Sequence, residues 1–131
     1  MVGKFRILVV EDEPVIRELV SSLLAESECE VETAETGAEG LKLARGRDYD
    51  LVLLDVVLPA AGAVELDGVA VCRLLRADRR LETVPIYMLT AKARPADVDA
   101  AMRAGANGYI HKPFRGTELV ALVRQLQAAR S

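Results

Sequence analysis

The sequence predicts an α/β fold: a flavodoxin-like three-layer (βα)5 sandwich with a parallel five-stranded sheet in the order 2-1-3-4-5. Three observations predict it. Short strand-like apolar runs alternate with segments of helical spacing, five of each, along the 131 residues, as parallel strands joined by right-handed crossovers require. The run "DLVLL" is apolar throughout instead of alternating, which marks a strand covered on both faces. The length is that of one domain, and five strands suit the doubly wound order better than an eight-stranded barrel.

Each element can be justified in turn. "KFRILVV" is a β-branched apolar run and forms the first strand. In "PVIRELVSSLLAES" the residues Ile16, Leu19, Val20, Leu23 and Leu24 recur at helical spacing. Pro14 suits the first turn of that helix, where a missing N–H costs little. "CEVETA" is the second strand and "GAEGLKLARGR" a helix diluted by glycine. "DLVLL" is the third strand, followed by a stretch of small residues before Asp67-Gly68. "GVAVCRLLRADRR" is the third helix and "VPIYMLT" the fourth strand. "PADVDAAMRAG" is a helix opened by Pro95 and closed by Gly105. "NGYIHK" is the fifth strand. "TELVALVRQLQAAR" closes the pattern, with Leu119, Leu122, Val123 and Leu126 on one stripe.

Composition excludes several function classes. Although 51% of the residues are hydrophobic, no apolar run approaches the ~18 residues of a membrane helix, so membrane insertion is not expected. The N-terminus turns acidic after ten residues, unlike a signal peptide. Seventeen Lys and Arg against 20 Asp and Glu give a net charge of −3. With no basic stripe to follow a phosphate backbone, direct nucleic-acid binding is not expected. Cys29 and Cys72 lie inside apolar patterns and outside any CxxC spacing, which reads as two buried reduced thiols in a cytoplasmic protein.

Chemistry belongs at one edge of the sheet. In this strand order ligands bind beyond the carboxyl ends, where the order switches between strands 1 and 3. Strand 1 ends in Glu11-Asp12-Glu13 and strand 3 in Asp55. Two carboxylates about 4 Å apart repel by a few kcal/mol at an effective dielectric near 20, so a cation must offset them or protons must stay on. Helix capping would account for one such acid but not for three around one point. There is no Cys/His cluster for zinc, whereas an all-oxygen set with few ligands suits Mg²⁺. Lys112, ending strand 5, is a second candidate cation, and Thr90 ends strand 4 with a hydroxyl.

The motifs "LVVEDEP", "DLVLLDVVLP", "DG", "MLTA" and "YIHKPF", in that order across nearly the whole chain, resemble the receiver domain of bacterial two-component response regulators, of the stand-alone chemotaxis-regulator kind. The resemblance implies that Asp55 is a phosphoacceptor, served by a sensor histidine kinase or a histidine phosphotransfer protein. It implies Mg²⁺ held by Asp12, Asp55 and the backbone carbonyl of Val57, with Glu11 acting mostly through water. Thr90 and Lys112 would bind phosphoryl oxygens, Tyr109 would swing between exposed and buried states, and the Lys112-Pro113 bond would be cis. The output would be a downstream protein target, met through the surface of helix 4, strand 5 and helix 5, with a phosphorylation-dependent dimer as a further option. Such a protein is not an enzyme beyond catalysing its own phosphorylation and dephosphorylation. The physics agrees: phosphoryl transfer asks mainly for in-line positioning and neutralised charge.

Several residues also have a plainer reading. Tyr109 can be a packing residue of its strand, His111 a satisfied strand residue, and Met88 and Met102 core. Lys92 and Val57, each two residues past a site residue, border the expected phosphate. The sequence departs from the resemblance where seven residues, "AAGAVEL", separate Pro59 from Asp67. This is either a tolerated surface insertion, cheap in closure entropy, or a short lip over the site. A second departure is Arg115-Gly116 in place of a stronger helix start, which leaves Thr117 or Gly116 to cap the last helix.

Other functions fit less well. A Mg²⁺-dependent phosphohydrolase of the haloacid dehalogenase type also uses an aspartyl phosphate, but it carries a second acid where this chain has Val57. A flavodoxin-like nucleotide binder needs a phosphate-cradling loop after strand 1, where this chain has three acids. A degenerate interaction domain would have lost some of the functional groups. The expected organisation is a single receiver over residues 1–131 with no output domain, either stand-alone or a receiver fragment of a larger hybrid kinase or transcription factor.

Overall fold

The computed structural model describes residues 4–25, 27–58, 67–91 and 94–130. Strands β1 (Phe5–Val10), β2 (Cys29–Ala34), β3 (Leu51–Asp55), β4 (Ile86–Thr90) and β5 (Gly108–His111) form one parallel sheet in the order β2-β1-β3-β4-β5. Helices α1 (Pro14–Leu24), α2 (Gly37–Gly46), α3 (Gly68–Ala77), α4 (Pro95–Arg103) and α5 (Gly116–Arg130) follow the strands in turn. A 3₁₀ turn at Arg79–Leu81 extends α3. The predicted fold class, strand order and element sequence are those observed. Pro59, Lys92 and the 60–66 insertion lie outside the described residues.

The two-residue period of a strand divides the core into two layers. Ile7 and Val9 of β1, Leu51 and Leu53 of β3, Leu89 of β4 and Ile110 of β5 meet Val20 and Leu24 of α1 and Leu119 and Val123 of α5. Leu8, Val10, Val52, Leu54, Ile86 and Met88 point the other way, onto α2, α3 and α4. All of β3 is buried, which explains its unbroken apolar run. Each such side chain is worth about 1.5–3 kcal/mol on burial, so the central strands are the most firmly held part of the chain.

Local signals set the helix ends. Pro14 opens α1. Thr36 Oγ1 caps α2 by accepting from the Glu39 N–H at 3.1 Å, and Asp67 Oδ1 caps α3 through the Ala70 N–H at 2.8 Å. At the end of α4, Gly105 takes φ +111°. Its N–H donates to the Met102 carbonyl and that of Ala106 to the Ala101 carbonyl, both at 3.1 Å, the paired bonds of a Schellman ending. Helix α5 starts at Gly116, so the cap is Arg115 and not the expected Gly116 or Thr117: the Arg115 carbonyl accepts from Glu118 at 3.0 Å and Leu119 at 3.3 Å.

Some expectations are corrected. Leu19 is exposed, because it stands about 100° round the helix from buried Val20. The same rotation from buried Ala101 puts Met102 outside, at 43% exposure. Met88 is core as expected. Cys72 is buried, but Cys29 is only half-buried, at the first position of edge strand β2. Both are free thiols. That edge carries ion pairs: Glu30 with Arg6 at 3.2 Å and Glu32 with Arg47. Glu32 also accepts from the Tyr49 hydroxyl at 3.0 Å.

Candidate functional site

Register brings the acids together. Val10 pairs with Leu54 across β1 and β3, so the next residues, Glu11 and Asp55, leave the sheet side by side. Both belong by alternation to the row that faces α1 and α5, and Lys112, two past Ile110, joins the same row. The Lys112 N–H donates to the Thr90 carbonyl at 2.8 Å, which extends the β4–β5 ladder one step and sets the lysine at the sheet edge.

The Lys112 ammonium bridges two carboxylates. Its Nζ lies 2.7 Å from Glu11 Oε2 and 3.1 Å from Asp55 Oδ2. The other oxygens are held by backbone: the Glu13 N–H donates to Glu11 Oε1 at 3.3 Å and the Val57 N–H to Asp55 Oδ1 at 3.1 Å. Glu11 is fully buried and Asp55 nearly so, while Asp12 is exposed. One ligand oxygen from each of Glu11, Asp12 and Asp55 lies within 4.8 Å of the others. These hard oxygen donors, two of them already drawn to one cation, fit a small divalent ion. Beside them is a cleft of about 180 Å³ lined by Asp12, Glu13, Asp55, Val57, Ala91 and Lys112.

Burial pushes the Glu11 carboxyl up to about 7 and the neighbouring Asp55 adds to this, while the hydrogen bond from Lys112 pulls the other way. For Lys112, burial alone would lower the ammonium. The hydrogen bond to Glu11 and the charge of Asp55 outweigh it, so the net direction is upward. The two shifts thus reflect burial of the pair together with the mutual contacts of Glu11, Asp55 and Lys112.

Of the residues singled out in the sequence, Glu11, Asp12, Asp55, Val57 and Lys112 come together. The Lys112-Pro113 bond is cis. Thr90 closes β4, buried, in the row of Ile86 and Met88, and the cleft is lined beside it by Ala91. Tyr109 stands on β5 with 44% exposure and does not line the cleft among the described residues. His111 is an exposed strand residue.

Two supporting roles are seen only in the structure, that of Gly68 from the Asp-Gly motif and that of Arg17. A Cβ on Gly68 would fall 2.0 Å from the Asp55 carbonyl oxygen and 2.8 Å from Val56 Cα, so only glycine lets α3 start against the end of β3. The Gly68 N–H donates to the Val56 carbonyl at 2.9 Å. The signal was the Asp-Gly pair itself, a cap followed by the smallest residue at a helix start. The other is Arg17, whose guanidinium donates to the Glu11 and Asp12 carbonyls at 2.9 and 3.0 Å. Its signal was faint: a lone arginine beside the apolar stripe of α1.

A doubly wound sheet with three acids and a lysine at its switch point is the arrangement that the resemblance to response regulator receivers implies. The match to known proteins makes the family explicit. The model of the response regulator receiver domain matches residues 7–124, and the chain belongs to that family. It is 42% identical over 119 residues to the DNA-binding response regulator MtrA of Mycolicibacterium smegmatis, covering 91% of this chain and 49% of the relative. Thus the chain spans about half the length of the curated relatives it matches. Among solved structures, the chemotaxis protein CheY4 of Vibrio cholerae superposes with TM-score 0.86 at 29% identity, over 95% of this chain and 99% of that one. The receiver domain of the sensor histidine kinase PA1611 of Pseudomonas aeruginosa, solved with a magnesium ion coordinated in its active-site cleft, gives 0.84 at 32% identity, over 97% and 99%.

Proposed function

We propose that Asp55 accepts a phosphoryl group from a phosphohistidine of a sensor kinase or phosphotransfer protein, and that the chain catalyses only this transfer and the later hydrolysis of the aspartyl phosphate, in which water takes the phosphoryl group and the Asp55 carboxylate is restored. The observation that carries this reading is the placement of Asp55. It is buried apart from one cleft, with Val57 N–H on one oxygen and Lys112 on the other. An Asp55 oxygen attacks phosphorus, an O–P bond forms as the P–N bond breaks, and the electron pair returns to the donor imidazole. Asp12 and Asp55, with the Val57 carbonyl and Glu11 through water, would hold Mg²⁺, which supplies positive charge to the phosphoryl oxygens. Lys112 supplies the second cation by moving its bond from Asp55 to the transferred group. Thr90 would bind a further phosphoryl oxygen as the segment after β4 draws inward, and Tyr109 would follow it to a less exposed position.

The partners follow from the surface. Val15 and Leu19 are exposed apolar side chains on α1, the helix that leaves the acidic loop, and form the proposed contact for the kinase. Tyr109 and Met102 are exposed on β5 and α4, within the α4-β5-α5 face proposed to meet a downstream protein or a second copy. The net charge of −3 supports a receiver that does not itself touch DNA, in a cytoplasmic protein whose residues 1–131 form one receiver. Val57 offers the cleft an apolar side chain where a phosphohydrolase would need an acid.

Labelling with acetyl phosphate in Mg²⁺ tests the reading. Asp55→Asn should take up no phosphate while staying folded, and labelling that survives this substitution refutes the assignment.

A further inference from the structure

Arg17 lies in the second turn of α1, yet its guanidinium turns back against the loop that precedes the helix. Nη1 donates to the carbonyl of Glu11 at 2.9 Å and to that of Asp12 at 3.0 Å. Nη2 meets Glu35 Oε1 at 3.3 Å. The side chain is only 16% exposed. Glu35 is held in turn, since its N–H donates to Glu39 Oε2 at 3.3 Å, and the Glu39 N–H donates to Thr36 at 3.1 Å. One planar cation thus ties the end of β1 to the start of α2.

The two carbonyls belong to two of the three acids that converge beside the cleft. Bonds from a guanidinium to an acceptor are charge-assisted and directional, so accepting from one nitrogen fixes how both peptide groups are turned. That orientation decides where the Glu11 and Asp12 side chains leave the backbone. Arg17 also differs from Lys112 in what it touches. Lys112 sits on carboxylate oxygens and competes with any other cation there. Arg17 reaches the same residues through their carbonyls and leaves the carboxylates open. Helix formation alone does not call for a cation here, because the N-terminal end of a helix carries positive partial charge.

We propose that Arg17 is a positioning residue for the cation site: it sets the backbone of Glu11 and Asp12 and thereby the Mg²⁺ affinity of the receiver. This rests on the phosphoacceptor reading above. A clamp that merely fastens α1 to the sheet would change stability and leave cation affinity alone.

The experiment is calorimetric titration of the full chain with Mg²⁺, paired with acetyl phosphate labelling at several Mg²⁺ concentrations. The variants are Arg17→Gln, Arg17→Lys and Glu35→Gln. Losing a group that orients metal ligands typically weakens affinity about 10-fold or more, and Arg17→Gln should show that shift in Kd. Its labelling rate should return to the wild-type level once Mg²⁺ saturates. Arg17→Lys, which keeps the charge but not the fork, should fall between, and Glu35→Gln should shift Kd in the same direction by less. A wild-type Kd in folded Arg17→Gln overturns the proposal. If that variant does not fold, a wild-type Kd in Arg17→Lys overturns it equally. A wild-type chain that binds no Mg²⁺ and takes no label on Asp55 sinks the underlying reading, whereas normal wild-type behaviour with an unshifted Arg17 variant sinks the Arg17 role alone.

Discussion

Replacing Gly68 by alanine adds one methyl group at the point where α3 meets the end of β3. The built Cβ lies 2.0 Å from the Asp55 carbonyl oxygen, and carbon atoms do not approach oxygen closer than about 3 Å without repulsion. Something must therefore move by about 1 Å. Both neighbours are backbone, so no side chain can rotate out of the way, and the 2.9 Å bond from Gly68 N–H to the Val56 carbonyl is stretched past usefulness. Overpacking of this kind costs about 1–3 kcal/mol, and the lost hydrogen bond about 1 more. The helix propensity gained by alanine offsets less than about 1 kcal/mol. A net loss of about 1–3 kcal/mol corresponds to a fall in Tm of roughly 4–12 °C at this size. Urea and thermal unfolding measure it, and acetyl phosphate labelling reads the displaced Asp55 as a slower rate. Gly46→Ala is the internal control, because a Cβ there meets nothing within 4 Å. It should be neutral or stabilising by up to about 1 kcal/mol. Equal stability of Gly68→Ala and wild type would show that the close approach to Asp55 does not constrain the fold.

Two further outcomes follow. Burial, and then the hydrogen bond to Glu32, push the Tyr49 phenol up to about 12, above the ordinary value near 10. The folded state therefore holds this proton longer, so the contribution is full below pH ~10 and is lost as pH rises towards 12. Ultraviolet titration should show one late phenolate, which Tyr49→Phe removes; with three tyrosines and no tryptophan in the chain, the signal is clean. Lys112→Met leaves Glu11 and Asp55 buried without their cation, at a cost of about 3–5 kcal/mol in the presence of a chelator. Mg²⁺ should recover part of that loss, and an identical penalty with and without Mg²⁺ would show that these acids do not share one cation site.

The elements and the meeting of Glu11, Asp12, Asp55 and Lys112 were legible because period decides them. An apolar run such as 51–54, short and set between two helical patterns, reads as a strand covered twice, and parity then sends its final acid to the same side as its neighbours. Other features depend on distances that no period encodes. Leu19 matches the helical stripe as well as Leu23 does, and only the packing of α1 shows which flank turns outward. Thr90 ends its strand as expected, but its row follows from register. Arg17 reads as one polar position among several on α1, and its reach to two carbonyls depends on how the preceding loop folds back. Gly68 announces a turn, and its contact with the Asp55 backbone emerges only in three dimensions.

The ion pairs on β2 have an effect beyond the single molecule. An outer strand offers unsatisfied peptide groups to any extended chain that drifts alongside, the usual route to fibrous association. Here the rim presents Glu30 and Glu32, each matched to an arginine of its own chain, so a second copy approaching edge-on would have to bury or break those ion pairs. The charged border thus disfavours strand pairing along this edge.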